Sequence, residues 1–268
     1  MIPYTQKYLL DHPVPFTPMG KVAGFSVRPG LFDVNGAMAL PNGVNFTVHT
    51  HNGTSCELLL FHRDEEEPFA ILPFPESYKI GDVYSMIVYE LDIEAFEYAY
   101  RIDGPYDPEE GMLFDKRHIL LDPYAVAVTG QDTWGKKKKK TYHAKVIKDI
   151  FDWGEASQSS KELCDLIIYE LHVRGFTCHP SSNVTHKGTF EGLKEKIPYL
   201  KNLGINAVEL MPIFEFDENM NSREVDGKLL LDYWGYNTVS FFAPNASYAT
   251  SAEYNREGTE LKELIKAL

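Results

Sequence analysis

Cysteine is scarce in this sequence, with three residues among 268. They are Cys56, Cys164 and Cys178, an odd number at spacings that match no metal-binding pattern. A disulfide framework is therefore not expected, and a reducing compartment, the cytoplasm, is expected. Long apolar runs are also missing, since no stretch approaches the roughly 18 consecutive apolar residues of a membrane-spanning helix. The N-terminus lacks a basic region followed by an apolar stretch, so no signal peptide is expected.

Positive charge is the second shortage. Lys and Arg number 26 against 39 Asp and Glu, which gives a formal net charge of −13. An acidic surface argues against nucleic acid and membranes as main partners. The run from Lys136 to Lys140 either binds a phosphate or polyanion or, as the acidic whole favours, forms a solvated loop. Glycine-rich phosphate loops, HExxH motifs and Cys/His sets are absent from the sequence, so neither a metal nor an organic cofactor is expected.

The first half of the sequence contains short strands separated by turn signals. Residues 43–49 alternate apolar and polar side chains, as a half-buried strand does. Further strands are predicted over 56–61, 83–88 and 96–102. This pattern is typical of an antiparallel β-sandwich of immunoglobulin-like type. A linking region that ends in a Ser- and Gln-rich stretch follows, so we predict a sandwich domain with its linker at residues 1–155 and a second domain at 156–268.

The second half has the pattern of a parallel α/β fold. Dense apolar runs predict buried strands over 165–173 and 205–212. Between them, Thr189 caps a predicted helix that bends before Pro198. The order of strand, helix and strand indicates a βα unit.

A long loop is predicted over 213–258, followed by a helix capped by Thr259. The apolar residues of this helix recur at the i, i+3, i+4, i+7 spacing of one helical face. They are Leu261, Leu264, Ile265 and Leu268.

The most informative segment of the predicted loop crowds aromatic rings around a glycine. Tyr233, Trp234 and Tyr236 flank Gly235, which lets the backbone turn tightly. Aromatic faces on a loop suit a ligand with apolar faces and hydroxyl edges, such as a sugar ring. We therefore predict a sugar-binding platform, most strongly at Tyr236, although Tyr233 and Trp234 could equally fill the mouth of the fold. Asp232 either orients the loop, bonds a sugar hydroxyl or is simply solvated.

Carboxylates also cluster in this half. Glu215, Asp217 and Glu218 follow the second predicted strand, and paired carboxylates serve glycoside hydrolysis. A charged entry to the loop is the simpler interpretation. Glu170 and His172 lie in the first predicted strand, where such residues are more often satisfied core residues than catalysts.

Several segments together closely resemble the alpha-amylase superfamily, within it the isoamylase, pullulanase and glycogen-debranching branch. These are the segments 165–177, 188–193, 204–212 and 232–238. Upstream, residues 100–106 and 120–124 resemble the N-terminal β-sandwich of that branch, a starch- and glycogen-associated binding module. The segments occur in the family's order and extend from about residue 20 along nearly the whole chain.

The resemblance implies a fold and a function. The fold is a multidomain one, with the sandwich followed by the first βα units of a (β/α)8 TIM barrel. The function is retaining hydrolysis of α-1,6 branch linkages in an α-glucan such as glycogen, starch, pullulan or limit dextrins. Tyr236 matches the family tyrosine that stacks on the sugar ring next to the cleaved bond, and Asp232, Tyr233 and Trp234 accompany it as substrate-binding residues.

The sequence departs from the family in its extent. The family's catalytic carboxylates come from the fourth, fifth and seventh barrel strands, and the motif of the third strand would begin just after Leu268. We therefore expect an incomplete barrel, no catalytic residue within these 268 residues, and no hydrolysis by this chain alone. Two other functions remain open: a non-catalytic α-glucan-binding module and a glucan-branching transferase.

Overall fold

The computed structural model describes residues 17–129, 131–137, 141–155 and 161–268. By compactness the chain divides into two units. The first comprises Met1–Gly130 and Lys139–Ile150, and the second comprises Gln131–Lys138 and Phe151–Leu268. The division predicted from the sequence, at 155/156, leaves Gln131–Lys138 with the sandwich, whereas this segment belongs to the second compact unit.

The first unit contains an antiparallel sheet of six strands in the order β1-β2-β8-β4-β3, with β7 paired to β8. These strands are β1 Gly20–Val22, β2 Phe25–Pro29, β3 Gly36–Leu40, β4 Gly43–His49, β7 Lys79–Ile80 and β8 Val83–Tyr89.

A second antiparallel sheet has the order β12-β13-β9-β5-β6, beside a separate hairpin formed by β10 and β11. The strands are β5 Ser55–His62, β6 Pro68–Pro73, β9 Phe96–Asp103, β10 Tyr106–Asp107, β11 Met112–Leu113, β12 Val128–Thr129 and β13 His143–Ala144.

The two sheets pack against each other through fully buried side chains. Phe46 of β4 contacts Phe96 and Tyr98 of β9, with ring centroids 6.4 and 5.1 Å apart. Apolar burial of this kind stabilises a sheet pair by roughly 25 cal/mol per Å² removed from water. The strands predicted over 43–49, 56–61, 83–88 and 96–102 are confirmed as β4, β5, β8 and β9.

The second unit begins with a strand–helix–strand arrangement. Strand β14 (Ile168–Leu171) pairs in parallel with β15 (Ala207–Leu210), in a register that sets Ile168 opposite Ala207. Three short helices follow β14 along the chain, α1 Val173–Cys178, α2 Phe190–Glu195 and α3 Ile197–Asn202. They bury Phe190, Leu193 and Leu200 in one core with Leu171 and Val173. The parallel βα unit predicted from the sequence is confirmed.

The predicted cap and break between these helices are both present. The Thr189 hydroxyl oxygen accepts a hydrogen bond from the Gly192 N–H at 3.1 Å, which satisfies a free donor at the start of α2. Pro198 lies in the first turn of α3, where its missing N–H costs nothing. The first predicted strand is shorter than expected, because His172 ends β14 and caps α1.

The predicted loop over 213–258 is wrong in detail, since the segment contains four strands. Strands β16 (Phe214–Phe216) and β19 (Thr238–Pro244) form one antiparallel pair, and β17 (Arg223–Val225) and β18 (Lys228–Leu230) form an exposed hairpin. Strands β16, β17 and β18 have three residues each, too few to show a pattern in the sequence, whereas the seven-residue β19 was missed.

The last helix, α4 (Arg256–Ala267), starts earlier than predicted. It follows Asn255, which adopts the left-handed conformation, so Thr259 lies inside the helix and does not cap it. Leu264 is fully buried, but Ile265 and Leu268 are exposed. The buried face instead includes Glu260, whose carboxylate accepts the Thr250 N–H and pairs with Arg256 at 2.7 Å. A buried carboxylate with internal partners leaves no trace in an apolar pattern.

Among the described residues, none of the helices combines the length and apolar character needed to cross a membrane.

Candidate functional site

The predicted aromatic platform lies between β18 and β19. A backbone hydrogen bond holds its first residue, and a glycine allows its turn. The Asp232 N–H donates to the Glu218 carbonyl at 2.8 Å. Gly235 has φ +82°, and a Cβ at this position would lie 2.8 Å from the ring of Phe216. A side chain is therefore excluded at residue 235 both by backbone conformation and by contact. The loop of residues 232–236 is built around that glycine, as the sequence predicted.

His172 anchors the same loop from the end of the first parallel strand. Its Nδ1 accepts a hydrogen bond from the Gly175 N–H at 3.0 Å, so Nε2 carries the proton and donates to the Tyr233 carbonyl at 2.7 Å. The imidazole also stacks on the Tyr233 ring, with centroids 4.2 Å apart and planes 10° apart. Burial lowers the pKa of His172, which favours this neutral form.

The three aromatic residues of the loop are exposed to different extents. Tyr233 stacks on His172 and contacts Trp134 edge-on at 6.3 Å, yet it remains 38% exposed. Trp234 is 53% exposed and Tyr236 is 70% exposed. Tyr233 therefore both supports the loop and presents part of its ring to solvent, whereas Trp234 and Tyr236 present more of theirs. Their role in substrate binding stays a prediction.

Trp134 completes the aromatic cluster, and sequence reasoning left it unassigned. Its ring lies parallel to that of the fully buried Tyr248, with centroids 6.1 Å apart and planes 14° apart. The Arg174 guanidinium lies 4.4 Å from the centroid of the Trp134 ring. Residues far apart in sequence form this cluster, and no motif links them.

The carboxylates of the predicted charged loop are buried, and each has hydrogen-bond or ion-pair partners within the second unit. Glu218 accepts hydrogen bonds from the Gln131 side chain, from the Gly135 N–H at 3.2 Å and from the Ser247 hydroxyl at 2.9 Å. Burial raises the pKa of Glu218. Because the donors come from the segment 131–137 and from Ser247, Glu218 ties that segment to the rest of the unit.

Asp217 and Glu215, the carboxylates next to Glu218, have similar structural roles. Asp217 forms an ion pair with Lys137 at 2.6 Å and accepts the Asn219 N–H at 2.9 Å. Glu215 accepts the Ala246 N–H at 2.9 Å. These contacts make the three carboxylates braces of the loop rather than an acid–base pair. Lys137 is thus an ion-pair partner, and the remainder of the predicted lysine loop from Lys138 to Lys140 lies outside the described residues.

An open hollow of about 630 Å³ adjoins the platform. It is lined by Trp134, Asp232, Tyr233 and Trp234, together with residues of the β17–β18 hairpin. Tyr236 does not line this hollow and offers its ring elsewhere on the loop. Glu170 is exposed on β14. Within the described ranges, no three His, Cys, Asp or Glu side chains converge in a way that could hold a metal ion.

Comparison with known proteins gives a family for the first unit and relatives for most of the chain. The model of carbohydrate-binding module 48, described as the isoamylase N-terminal domain, matches residues 34–125. Isoamylase 1, chloroplastic, from Arabidopsis thaliana is 34% identical over 90% of this chain and 33% of its own length. The glycogen debranching enzyme of Serratia proteamaculans is 30% identical over 90% of this chain and 38% of its own length.

Solved structures agree in fold. A pullulanase from Anoxybacillus sp. LM18-11 has a TM-score of 0.62 and 26% identity, over 88% of this chain and 32% of that chain. A pullulanase from Paenibacillus barengoltzii has a TM-score of 0.68 at 23% identity, over 90% of this chain and 36% of that chain. The present chain spans about a third of the length of the curated relatives it matches. By its binding module and its relatives, the chain belongs to the debranching branch of the alpha-amylase family.

Proposed function

We propose that this polypeptide functions in a retaining glycoside hydrolase that cleaves α-1,6 branch linkages of glycogen- or starch-type α-glucans. The observation that carries the proposal is the exposed aromatic loop, which His172 fixes at the carboxyl end of a parallel strand. Sites of parallel α/β folds lie at that end of the strands. The relatives named isoamylase and glycogen debranching enzyme support the choice of substrate.

In this proposal the described residues bind and orient the glucan. The ring of Tyr236 stacks on the sugar next to the cleaved bond, and Asp232 and Trp234 contact its neighbours. A ring face suits the flattened, positively charged transition state of glycoside cleavage. In a retaining hydrolase one carboxylate attacks the anomeric carbon, and a carboxyl group protonates the leaving oxygen. Glu215, Asp217 and Glu218 are engaged in bracing the loop, so the proposal assigns both steps to residues other than those described.

The proposal extends to fold and location. The parallel pair β14–β15 with its helices forms the start of a (β/α)8 barrel, after a sandwich domain that ends near residue 155. The solved pullulanases support this extension, since their fold matches over most of the chain. We place the protein in the cytoplasm, where free thiols such as the exposed Cys164 and Cys178 stay reduced.

The test compares the 268-residue chain with the protein encoded by the complete reading frame. Both are incubated with pullulan and with glycogen, and the newly formed reducing ends are measured. We expect release of linear maltooligosaccharides by the longer protein and none by the 268-residue chain. Hydrolysis by the chain alone would contradict the assignment of catalysis outside it, and a reading frame that stops at codon 268 would contradict the hydrolase.

The match of residues 34–125 to a carbohydrate-binding module favours one alternative, a glucan-binding protein without chemistry. This alternative predicts retention on a glycogen matrix without any new reducing ends. A branching transferase, the third possibility, would raise the number of α-1,6 linkages in amylose, which debranching cannot do. Measurement of reducing ends, retention on the glycogen matrix and iodine staining after incubation with amylose together separate the three functions.

A further inference from the structure

The segment 131–137 precedes the second domain predicted from the sequence, but it packs within the second compact unit. Its contacts in that unit converge on the aromatic loop. Trp134 contacts the Tyr233 ring edge-on, with centroids 6.3 Å apart. A Cβ on Gly135 would lie 2.5 Å from the Cδ1 of Leu231, the residue that precedes the loop. The segment therefore contacts the loop both at its start and at its first ring.

Glu218 connects the segment to the loop through two different groups. Its side chain accepts the Gly135 N–H at 3.2 Å, and its carbonyl accepts the Asp232 N–H at 2.8 Å. Glu218 is fully buried, so water does not compete for these hydrogen bonds. One residue thus fixes the backbone of the segment and the backbone of the loop relative to each other.

Phe216, the last residue of β16, forms a second connection. Its carbonyl accepts a hydrogen bond from the Gln131 side chain at 3.1 Å. Its ring contacts Trp134 edge-on, with centroids 5.9 Å apart, and lies 2.8 Å from where a Cβ on Gly235 would stand. Because Phe216 is fully buried and close-packed, a shift of the Trp134 ring would displace the glycine at which the loop turns.

A cation and a second aromatic ring hold the Trp134 ring in place. The Arg174 guanidinium lies 4.4 Å from its centroid, and the parallel ring of Tyr248 lies 6.1 Å away. The Tyr248 hydroxyl is 3.3 Å from Nε2 of His172, the atom that donates to the Tyr233 carbonyl. Trp134 therefore supports Tyr233 twice, by direct contact and through Tyr248 and His172.

We propose that Trp134 is a positioning residue for substrate binding. It acts through Tyr233 and restricts the motion of the loop, so that the exposed rings of Trp234 and Tyr236 keep one orientation. A loop that is already ordered loses less conformational entropy when a ligand binds. The reaction that the loop serves rests on the proposed function, whereas the restriction of its motion rests on the contacts of the segment 131–137.

The first test measures the mobility of the loop through the fluorescence of Trp234. The sequence has three tryptophans, so Trp153→Phe combined with a substitution of Trp134 leaves Trp234 as the single emitter. In the 268-residue chain, time-resolved anisotropy should show a larger amplitude of nanosecond motion for Trp134→Ala than for Trp134→Phe. The reason is that phenylalanine keeps a ring against Tyr233. Equal amplitudes in the two variants would overturn the positioning role.

Thr189→Ala is the matched control for a general loss of stability. It removes the cap of α2, whose hydrogen bonds join Thr189 to Gly192 and to the His186 carbonyl. Added to the Trp134→Phe variant, it should leave the anisotropy of Trp234 unchanged, and circular dichroism checks that each variant is folded. A gain in mobility as large as that of Trp134→Ala would contradict the proposal, since any loss of stability would then free the loop.

The second test measures hydrolysis of pullulan by the protein of the complete reading frame. Trp134→Ala should lower kcat/KM about two- to tenfold, the range of one aromatic contact, and Trp134→Phe should retain most of it. A loss of kcat/KM without a gain in the mobility of Trp234 would overturn the proposal, because Trp134 would then act on the sugar directly. An absence of hydrolysis in the wild type would refute the proposed function alone, since the anisotropy measurement requires no reaction.

Discussion

His172 and Tyr233 are joined twice, by a hydrogen bond of 2.7 Å from the imidazole Nε2 to the Tyr233 carbonyl and by parallel stacking of their rings at 4.2 Å. The first contact fixes the peptide of the aromatic loop, and the second fixes its side chain. A residue at the end of one strand therefore determines where the following rings, Trp234 and Tyr236, are presented.

Replacement of His172 by alanine should destabilise the fold by about 1–3 kcal/mol, because it leaves the Gly175 N–H and the Tyr233 carbonyl without partners. Urea denaturation measures the change. His186→Ala is the control, since His186 is exposed in the same unit. Equal stabilities of the two variants would show that His172 does not anchor the loop.

His172 should also make the unfolding free energy depend on pH. The folded-state pKa of His172 lies below its ordinary value of 6.5, since burial disfavours the charged ring. Between these two values the unfolded chain binds more protons, so the stability contribution of His172 is complete above pH 6.5 and is lost as the pH falls through the lowered pKa. The difference in unfolding free energy between wild type and His172→Ala should shrink over that interval. A difference that is constant with pH would refute the neutral imidazole.

Gly175 makes the stacking possible. A Cβ at residue 175 would lie 1.9 Å from the Tyr233 hydroxyl oxygen. Gly175→Ala should therefore displace Tyr233 and destabilise the protein, although alanine is favoured over glycine in a helix by about 1 kcal/mol. Tyr233→Phe removes the clashing oxygen, so the double variant should recover part of the loss. A double-mutant cycle in urea measures this coupling, and strictly additive effects would contradict the contact.

Sequence patterns predicted the framework of the fold but not the contacts that build the site. Alternation identified β4 and β5, and a hydroxyl before an apolar run identified the cap at Thr189, because these signals are local. The aromatic loop was also found from its composition. Its exposed ring at Tyr236 agrees with a platform, whereas the packing role of Tyr233 depends on His172, which is distant in sequence.

The residues that sequence reasoning missed share a physical cause. Trp134 contacts the loop because Glu218 holds the segment that contains it. In the sequence, a buried carboxylate with three hydrogen-bond donors cannot be told from a solvated charge. Glu260 misled the prediction of α4 in the same way. Buried polar groups are stabilised by specific partners, and a single sequence does not record those partners.

Glu218 itself supplies a comparison of two substitutions. Glu218→Gln can keep its oxygen toward Gln131 and Gly135 and direct its amide to the Ser247 hydroxyl, so a change in stability below about 1 kcal/mol is expected. Glu218→Ala should cost about 2–4 kcal/mol, since it leaves those buried donors unsatisfied. Thermal and urea unfolding measure both. Similar losses for the two variants would show that the site requires the charge rather than the hydrogen bonds.

Tyr236→Ala separates ligand binding from folding. Because Tyr236 is 70% exposed, its removal should leave the unfolding free energy within about 0.5 kcal/mol of wild type. If its ring stacks on the sugar beside the cleaved bond, the protein of the complete reading frame should lose about two- to tenfold in turnover of pullulan, in line with about 0.5–1.5 kcal/mol for an aromatic stack. Tyr236→Phe keeps the ring face and should retain most of the activity. Unchanged kinetics in Tyr236→Ala would refute the stacking role. Equal losses of turnover in Tyr236→Ala and Tyr236→Phe would show that the hydroxyl, not the ring, makes the contact with the sugar.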